Sequence, residues 1–343
     1  MDNGVHNHAV DALRLAAALC IVLLHSGAYP EFPAAVGETL RVSCRWALPF
    51  FFMLSGAYLP LRAADLQAAL PARIARLTGI FVVASTLFLP CVFYTQGLVG
   101  GLQRMLSFST LRSGSWFHLW FLSSLILGLL CLLAVYTLRV ERILNALSVG
   151  IVALVLITGA YHLFTPAGWI SGGMFYFARH LLAIPCLHLG VQLARLRWSL
   201  GYALSAMLAG AALQVVEFRA LRWVFPQEGE PQVLLGSLLM AAALLGVGQS
   251  MSAMRATPLA RWGRTHSLGI YLVHPLWLLI FTKMAALAGV EARRIWSLPL
   301  AMAVFTASLG LLLAIEHWAP RMKALLDGRI LPMRANRGVE AAE

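Results

Sequence analysis

Two ionisable side chains, Arg14 and His25, lie in the first apolar stretch of the chain with ten residues between them. In an α-helix this spacing places both on nearly the same face, about 16 Å apart along the axis. A charged or titratable group in lipid costs about 3 kcal/mol or more, so such residues normally face a bundle interior or a water-filled cavity. The pair therefore predicts a site. Taken singly, Arg14 also fits a snorkelling arginine, and His25 fits a core histidine bonded to a carbonyl.

The chemistry open to this pair is proton transfer and anion binding. Histidine, with an ordinary pKa of about 6.5, can accept a proton near neutral pH. Arginine can hold an anionic group or balance a developing negative charge. Asp11 lies one helical turn before Arg14, at the i, i+3 spacing of an ion pair. The same features also fit a transporter that binds an anionic or proton-coupled substrate.

Arg73 and Arg76 form a second basic pair, again at i, i+3 spacing on one helical face. Two guanidinium groups side by side suit phosphates, such as those of a nucleotide or coenzyme A. The alternative is a topology anchor at the cytoplasmic surface, and the residues alone do not choose between the two.

Further candidates lie in later apolar stretches. His118 precedes a tryptophan-rich helix entry, where histidine is less common than aromatic residues. Ser267, Tyr271 and His274 share one helical face, and Pro275 follows at once and loosens the helix hydrogen bonds. Arg179 fits either anion binding or snorkelling. The five cysteines show no metal-ligand spacing, and we expect no metal site.

Composition indicates a membrane protein. The 343 residues are 60% hydrophobic and 12% charged, about half the charged fraction of a soluble chain. The net charge of +12 does not predict nucleic-acid binding, because the basic residues lie between apolar stretches and form no single patch. We expect an all-α, polytopic transmembrane helix bundle in contact with membrane lipids, and not a β-barrel.

Apolar stretches of about 20 residues predict ten spans. The whole chain, 1–343, is expected to form a single transmembrane domain with a cytoplasmic tail at 320–343. The predicted spans are 9–29, 42–62, 74–95, 116–138, 143–164, 174–195, 198–217, 232–252, 266–288 and 295–318.

The orientation follows from the basic residues near the ends of these spans. Of the 26 Lys and Arg residues, fifteen lie on the side of the N-terminus and seven on the opposite side. The other four, Arg14, Arg45, Arg179 and Lys283, lie within spans. By the positive-inside rule, both termini are predicted to be cytoplasmic.

The chain resembles the acyltransferase family 3 integral-membrane proteins. In its compact size it is similar to the single-domain bacterial O-acetyltransferases that modify surface polysaccharides, such as the type that acts on the enterobacterial common antigen. The motifs that carry the resemblance are Asp11-Ala-Leu-Arg14 with ten residues to His25, Pro49-Phe-Phe-Phe-Met-Leu-Ser-Gly56, Arg73-x-x-Arg76, His118-Leu-Trp-Phe-Leu122 and Arg264-Thr-His-Ser267-Leu-Gly-Ile-Tyr271-Leu-Val-His274.

The resemblance implies an enzyme of the bacterial inner membrane. It would take an acetyl or other acyl group from cytoplasmic acyl-CoA, with no bound cofactor, and deliver it to a sugar hydroxyl of a lipid-linked or exported glycan. Arg14 and His25 would carry the reaction, His25 as general base or as acyl-carrying nucleophile. Arg73 and Arg76 would serve the donor. The remaining candidates, Asp11, His118, Ser267, Tyr271 and His274, would support the site or line its acceptor side.

A membrane-bound O-acyltransferase of the unrelated lipid-modifying class is a weaker alternative. That class leads one to expect an asparagine upstream of a catalytic histidine in a later helix. The chain has only Asn3, Asn7, Asn145 and Asn336, and none is well placed.

Overall fold

The computed structural model describes residues 7–166, 173–226 and 229–328. This part of the chain is helical and contains no strand, which confirms the predicted all-α bundle. Of the predicted cytoplasmic tail, residues 329–343 lie outside the described residues.

Sixteen α-helices and one 3₁₀ turn, His162–Phe164, follow one another along the described residues. The helices are α1 His8–Ser26, α2 Ala34–Ser43, α3 Ala47–Ala57, α4 Ala63–Leu87, α5 Leu89–Leu106, α6 Phe108–Ser113, α7 Trp120–Thr137, α8 Ile143–Thr158, α9 Met174–Leu181, α10 Ala183–Leu193, α11 Leu200–Val224, α12 Leu235–Ser250, α13 Pro258–Leu287, α14 Ala292–Ile295, α15 Ser297–Trp318 and α16 Pro320–Leu326.

Seven helical segments of the described chain are long and apolar enough to cross a bilayer. They are α1, α4, α7, the consecutive pair α9 and α10, α11, α13 and α15. The apolar helices α8 and α12 are shorter, at 16 residues each. The chain is therefore a polytopic membrane protein, and nine of the ten predicted spans overlap one of these helices.

The predicted span 42–62 is wrong as a single helix. The chain turns between α2 and α3, and α3 has only 11 residues, about 16 Å of helical rise against a hydrocarbon core of about 30 Å. Arg45 lies at this break, but one charge within an otherwise apolar stretch did not distinguish a helix end from a buried charge. The third span is also displaced, since α4 begins at Ala63 and places Arg73 and Arg76 well inside a helix.

Helix α1 is surrounded by other helices and packs against α3, α12, α13 and α15. Its first turn is fixed by Asn7, whose side chain accepts the N–H of Val10 at 3.1 Å and donates to the carbonyl of Gly248 at 2.8 Å. Helix α13 runs beside α1 in the same direction, because its beginning lies against Asp11 and His274 lies against His25.

Close approach of α1 and α13 depends on Gly263. A Cβ atom at this position would collide with the carbonyl oxygen of Asp11. Helices α3 and α10 meet in the same way, because a Cβ on Gly190 would collide with the carbonyl oxygen of Met53. Small residues at helix crossings are typical of membrane bundles, where packing and not hydrophobicity drives association.

We predict that Gly263→Ala destabilises the protein by about 1–3 kcal/mol through overpacking between α1 and α13. Alanine stabilises a helix by about 1 kcal/mol relative to glycine. Any loss of stability in the variant must therefore come from the contact between α1 and α13. Thermal unfolding of the purified protein in detergent measures the effect. Gly310→Ala is the matched control, since a Cβ on Gly310 of α15 meets no atom within 4 Å and should not lower the melting temperature.

Candidate functional site

Arg14 lies on the face of α1 that borders a cavity of about 670 Å³, which we call the Arg14 cavity. Its guanidinium contacts the carboxylate of Asp11 at 3.1 Å, and Asp11 itself is buried. The same guanidinium lies over the ring of Tyr58, 4.9 Å from the ring centroid. The i, i+3 spacing of Asp11 and Arg14 thus fixes the arginine side chain at the cavity wall.

Three further arginines border the Arg14 cavity: Arg73, Arg76 and Arg264. Arg73 donates to the carbonyl of Tyr58 at 2.5 Å, and Arg76 donates to the carbonyl of Asp327 at 2.7 Å. Both hydrogen bonds use neutral carbonyl oxygens, so the charges of Arg73 and Arg76 are not neutralised by these contacts. The cavity wall is therefore strongly basic and suited to an anionic ligand.

A second cavity, of about 790 Å³, borders the other end of α1, and we call it the His25 cavity. His25 and His118 lie in its wall. It also carries four arginines and two carboxylates: Arg41, Arg45, Arg179, Arg222, Glu38 and Glu230. One face of α1 thus presents Arg14 to one cavity and His25 to another, which the spacing of the two residues allowed but did not specify.

His25, His118 and His274 form a cluster of imidazole rings. The rings of His25 and His274 are stacked, with centroids 5.3 Å apart and an angle of 3° between their planes. His118 meets His274 edge-on at 5.5 Å, and Phe117 meets His25 edge-on at 5.1 Å. The sequence placed these histidines in three different stretches, and the fold brings them together at the His25 cavity.

The orientation of His274 has a cause in the sequence. Pro275 has no N–H, so the carbonyl of Tyr271 receives no helical hydrogen bond from it. The Nδ1 atom of His274 lies 2.8 Å from that carbonyl oxygen. Because a carbonyl only accepts, Nδ1 carries the proton and donates, which in a neutral imidazole leaves Nε2 with its lone pair.

Tyr271 and Phe121 line both cavities, and their rings meet edge to face with centroids 5.3 Å apart. The hydroxyl of Tyr271 donates to the backbone carbonyl of His118, which anchors the ring. These two aromatic side chains therefore separate the Arg14 cavity from the His25 cavity. A molecule that reaches from one cavity to the other must pass them.

The predicted site residues lie at both cavities, some at the Arg14 cavity and some at the His25 cavity. Ser267, which was predicted to share a face with Tyr271 and His274, borders the Arg14 cavity and not the His25 cavity. Asp11 acts as the partner of Arg14, and His118 and His274 join His25. In the described part of the chain, no group of three or more His, Cys, Asp or Glu residues is arranged to hold a metal ion.

Sequence reasoning missed several residues at these cavities. Tyr58 connects Arg14 and Arg73, yet a tyrosine at a helix end carries no distinctive pattern. Arg41, Arg45 and Glu230 meet only in the folded chain, since Glu230 lies far along the sequence from both arginines. Arg45 was visible as a charge within a predicted span, and that signal alone could have identified it.

Fold and site together define an integral-membrane helix bundle with two basic cavities that meet inside it. Comparison of sequences then gives the family. The acyltransferase 3 family, described as an acyltransferase domain, matches residues 7–316, nearly the whole chain. The chain therefore belongs to the acyltransferase 3 family and is a membrane acyltransferase.

Two curated relatives share a smaller segment. The chain is 32% identical over 143 residues to a serine/alanine racemase of Enterococcus gallinarum, which covers 37% of this chain and 19% of that protein. It is 32% identical over 126 residues to an amino-acid racemase of Enterococcus faecalis, covering 35% and 17%. The chain thus spans less than a fifth of the length of either relative. No solved structure matches the chain.

We predict that Pro275→Ala disturbs the protonation pattern of His274, because alanine supplies an N–H that competes for the carbonyl of Tyr271. Nitrogen NMR of histidine-labelled protein should show one fixed tautomer of His274 in the natural chain and a mixture in the variant, with His274→Ala used for assignment. Pro71→Ala is the matched control, since Pro71 also lies inside a helix, α4. An unchanged His274 signal in Pro275→Ala would contradict the assignment.

Proposed function

We propose that the protein transfers an acyl group, in particular acetyl, from acyl-CoA in the Arg14 cavity to a sugar hydroxyl in the His25 cavity. The observation that carries the proposal is the meeting of two basic cavities at Phe121 and Tyr271, with His25 in the wall of one and Arg14 in the wall of the other. The predicted orientation gives the Arg14 cavity to the cytoplasm, where acyl-CoA is made, and the His25 cavity to the opposite side.

The donor half of the proposal rests on charge. Coenzyme A is anionic through its phosphates, and Arg73, Arg76 and Arg264 provide guanidinium groups on the wall of the Arg14 cavity. Its long, flexible pantetheine arm would lead the thioester past Phe121 and Tyr271 toward His25. Arg14 lies about 16 Å from His25 along the helix axis, so we assign it to donor binding and not to the reacting carbonyl.

In the reaction, a ring nitrogen of His25 takes the proton of the acceptor hydroxyl as the hydroxyl oxygen attacks the thioester carbonyl carbon. The carbon–sulfur bond breaks, the acyl group stays on the sugar oxygen, and coenzyme A leaves as a thiolate that takes up a proton. Alternatively, His25 attacks first and carries the acyl group before the hydroxyl receives it. The stacked ring of His274 holds the imidazole of His25 in place in both versions.

The position of His25 suits an acceptor hydroxyl on a surface glycan or a lipid-linked glycan. His25 is partly accessible in the wall of a cavity of about 790 Å³, which is within the range that holds a small ligand. We place the protein in the bacterial inner membrane, with the glycan delivered on the side opposite to acyl-CoA.

Transport of an intact solute is the second candidate function, because two joined cavities also resemble a substrate path. The two functions differ in the fate of acetyl-CoA. Transport leaves the thioester intact and moves solute across a vesicle membrane, whereas acyl transfer consumes the thioester and labels the acceptor.

We predict that purified protein with labelled acetyl-CoA and a glycan extract transfers label to the glycan, and that His25→Ala abolishes the transfer because the proton acceptor is gone. Loss of general acid–base catalysis costs about 10²–10⁴ in rate. Label on the glycan, resolved by mass spectrometry, is the measurement. His317→Ala is the matched control, since His317 is exposed on α15. Undiminished transfer by His25→Ala would show that His25 takes no part in the reaction.

We predict that Arg73→Gln with Arg76→Gln weakens coenzyme A binding about tenfold or more, because charge-assisted hydrogen bonds to phosphate are lost. Binding is measured by isothermal titration of coenzyme A into protein in nanodiscs. The control is Arg142→Gln with Arg261→Gln, two exposed arginines away from the cavity. Equal affinity in both double variants would return Arg73 and Arg76 to the role of topology anchors.

A further inference from the structure

Among the residues that the structure describes, the wall of the His25 cavity carries more positive than negative charge. Its described wall contains four arginines, Arg41, Arg45, Arg179 and Arg222, against two carboxylates, Glu38 and Glu230. Among these described residues, the arginines outnumber the carboxylates by two. A neutral sugar has no need of such a wall, and keeping surplus charge in a membrane protein is costly unless a ligand or water meets it.

Each of the two carboxylates is already engaged by arginine. Glu38 contacts Arg222 on α11. Glu230 accepts from Arg41 at 2.9 Å and from Arg45 at 3.3 Å. One carboxylate thus serves two guanidinium groups, so the Arg41 and Arg45 pair keeps one positive charge in excess.

Arg179 supplies the other surplus charge. Its Nη1 atom donates a hydrogen bond to an uncharged group, the side-chain oxygen of Gln232, at 3.2 Å. Its guanidinium lies over the rings of Trp120 and Tyr176, at 4.3 Å and 4.8 Å from their centroids. Two aromatic faces hold the plane of the guanidinium in one orientation, as in a preformed anion-binding site.

Donors on these arginines are left without acceptors. The Nε atoms of Arg45 and Arg179 are both buried and have no hydrogen-bond partner within the described residues. A buried N–H that lacks a partner costs free energy, so such groups are rare unless a ligand or water satisfies them. Planar guanidinium groups match the oxygen atoms of a carboxylate or a phosphate.

We infer that the acceptor in the His25 cavity is an anionic sugar, with a carboxylate or phosphate group bound by Arg45 and Arg179 near the hydroxyl that faces His25. This inference rests on the proposed function for the identity of the cavity as the acceptor site. It adds the charge of the substrate, which neither the family nor the motifs specify. Trp120 and Tyr176 are positioning residues, because they act through Arg179.

The test is a binding measurement on the full chain in nanodiscs, by saturation-transfer NMR with titration, in the absence of acyl-CoA. The probes are glucose 1-phosphate, methyl glucuronide, methyl glucoside and inorganic phosphate. We expect at least one of the two anionic sugars to bind about tenfold tighter than neutral methyl glucoside. Which of the two binds distinguishes a phosphate from a carboxylate.

Arg179→Gln should weaken binding of the anionic sugar about tenfold and leave that of methyl glucoside unchanged. Arg179→Lys keeps the charge but loses the planar donor pair, and should fall in between. Arg219→Gln is the matched control, since Arg219 lies on the same helix as Arg222, contacts Ala35 and Thr39, and does not border the cavity. Arg45→Gln repeats the test should Arg179→Gln not fold.

Two results overturn the inference: methyl glucoside binding as tightly as both anionic sugars, or equal affinity in Arg179→Gln and Arg219→Gln. Inorganic phosphate that binds as tightly as the anionic sugars also overturns it, because the sugar then contributes nothing. Since the probes are bound without acyl-CoA, these outcomes are separate from the acetyl-transfer assay. Transfer that depends on His25 but shows no preference for charged acceptors refutes this inference alone.

Discussion

The cost of placing charge inside a membrane protein governs this structure. Every ionisable side chain in the spanning region needs a partner, a cavity or both. Arg14 has Asp11 and the face of Tyr58, and His266 lies 3.0 Å from the carboxylate of Glu316. Glu217, buried in α11, accepts the N–H groups of Leu235 and Gly236 at the start of α12, at 3.0 Å and 2.9 Å. Several charges that are not fully met in this way, those of Arg73, Arg45 and Arg179, border the two cavities, where we propose that ligands meet them.

The packing of helices α1 and α13 determines where these charged and titratable side chains lie. They run side by side in the same direction, and Gly263 lets their backbones approach closely near Asp11. Farther along, the same pairing stacks the imidazole of His25 on that of His274. Pro275 adds local chemistry, because its missing N–H frees a carbonyl that fixes the tautomer of His274. A single helix pair thus connects the basic cavity proposed for acyl-CoA with the histidine proposed to activate the acceptor.

The aromatic partition of Phe121 and Tyr271 is what makes the two cavities useful to an acyltransferase. A continuous aqueous path would leak protons and solute and expose the thioester to water, whereas packed aromatic rings exclude water from the junction. The proposed reaction needs only the narrow, uncharged arm of the donor to pass this point. In the same proposal, the surplus of arginines on the far side selects the acceptor by charge, and the histidine cluster acts on its hydroxyl.

Much of this protein is determined by the sequence itself. Apolar stretches of spanning length identify the helical membrane bundle, and ten residues between Arg14 and His25 place both on one face of α1, because helical periodicity is local. The break between α2 and α3 was not predicted, although Arg45 lies at it, because a charge within an apolar stretch indicates a buried site as readily as a helix end. Only the tertiary structure gathered His25, His118 and His274 and divided Arg14 and His25 between two cavities. It also placed four arginines and two carboxylates among the described residues of one cavity wall. These facts depend on contacts between residues far apart in the sequence, which helix packing sets and local spacing does not encode.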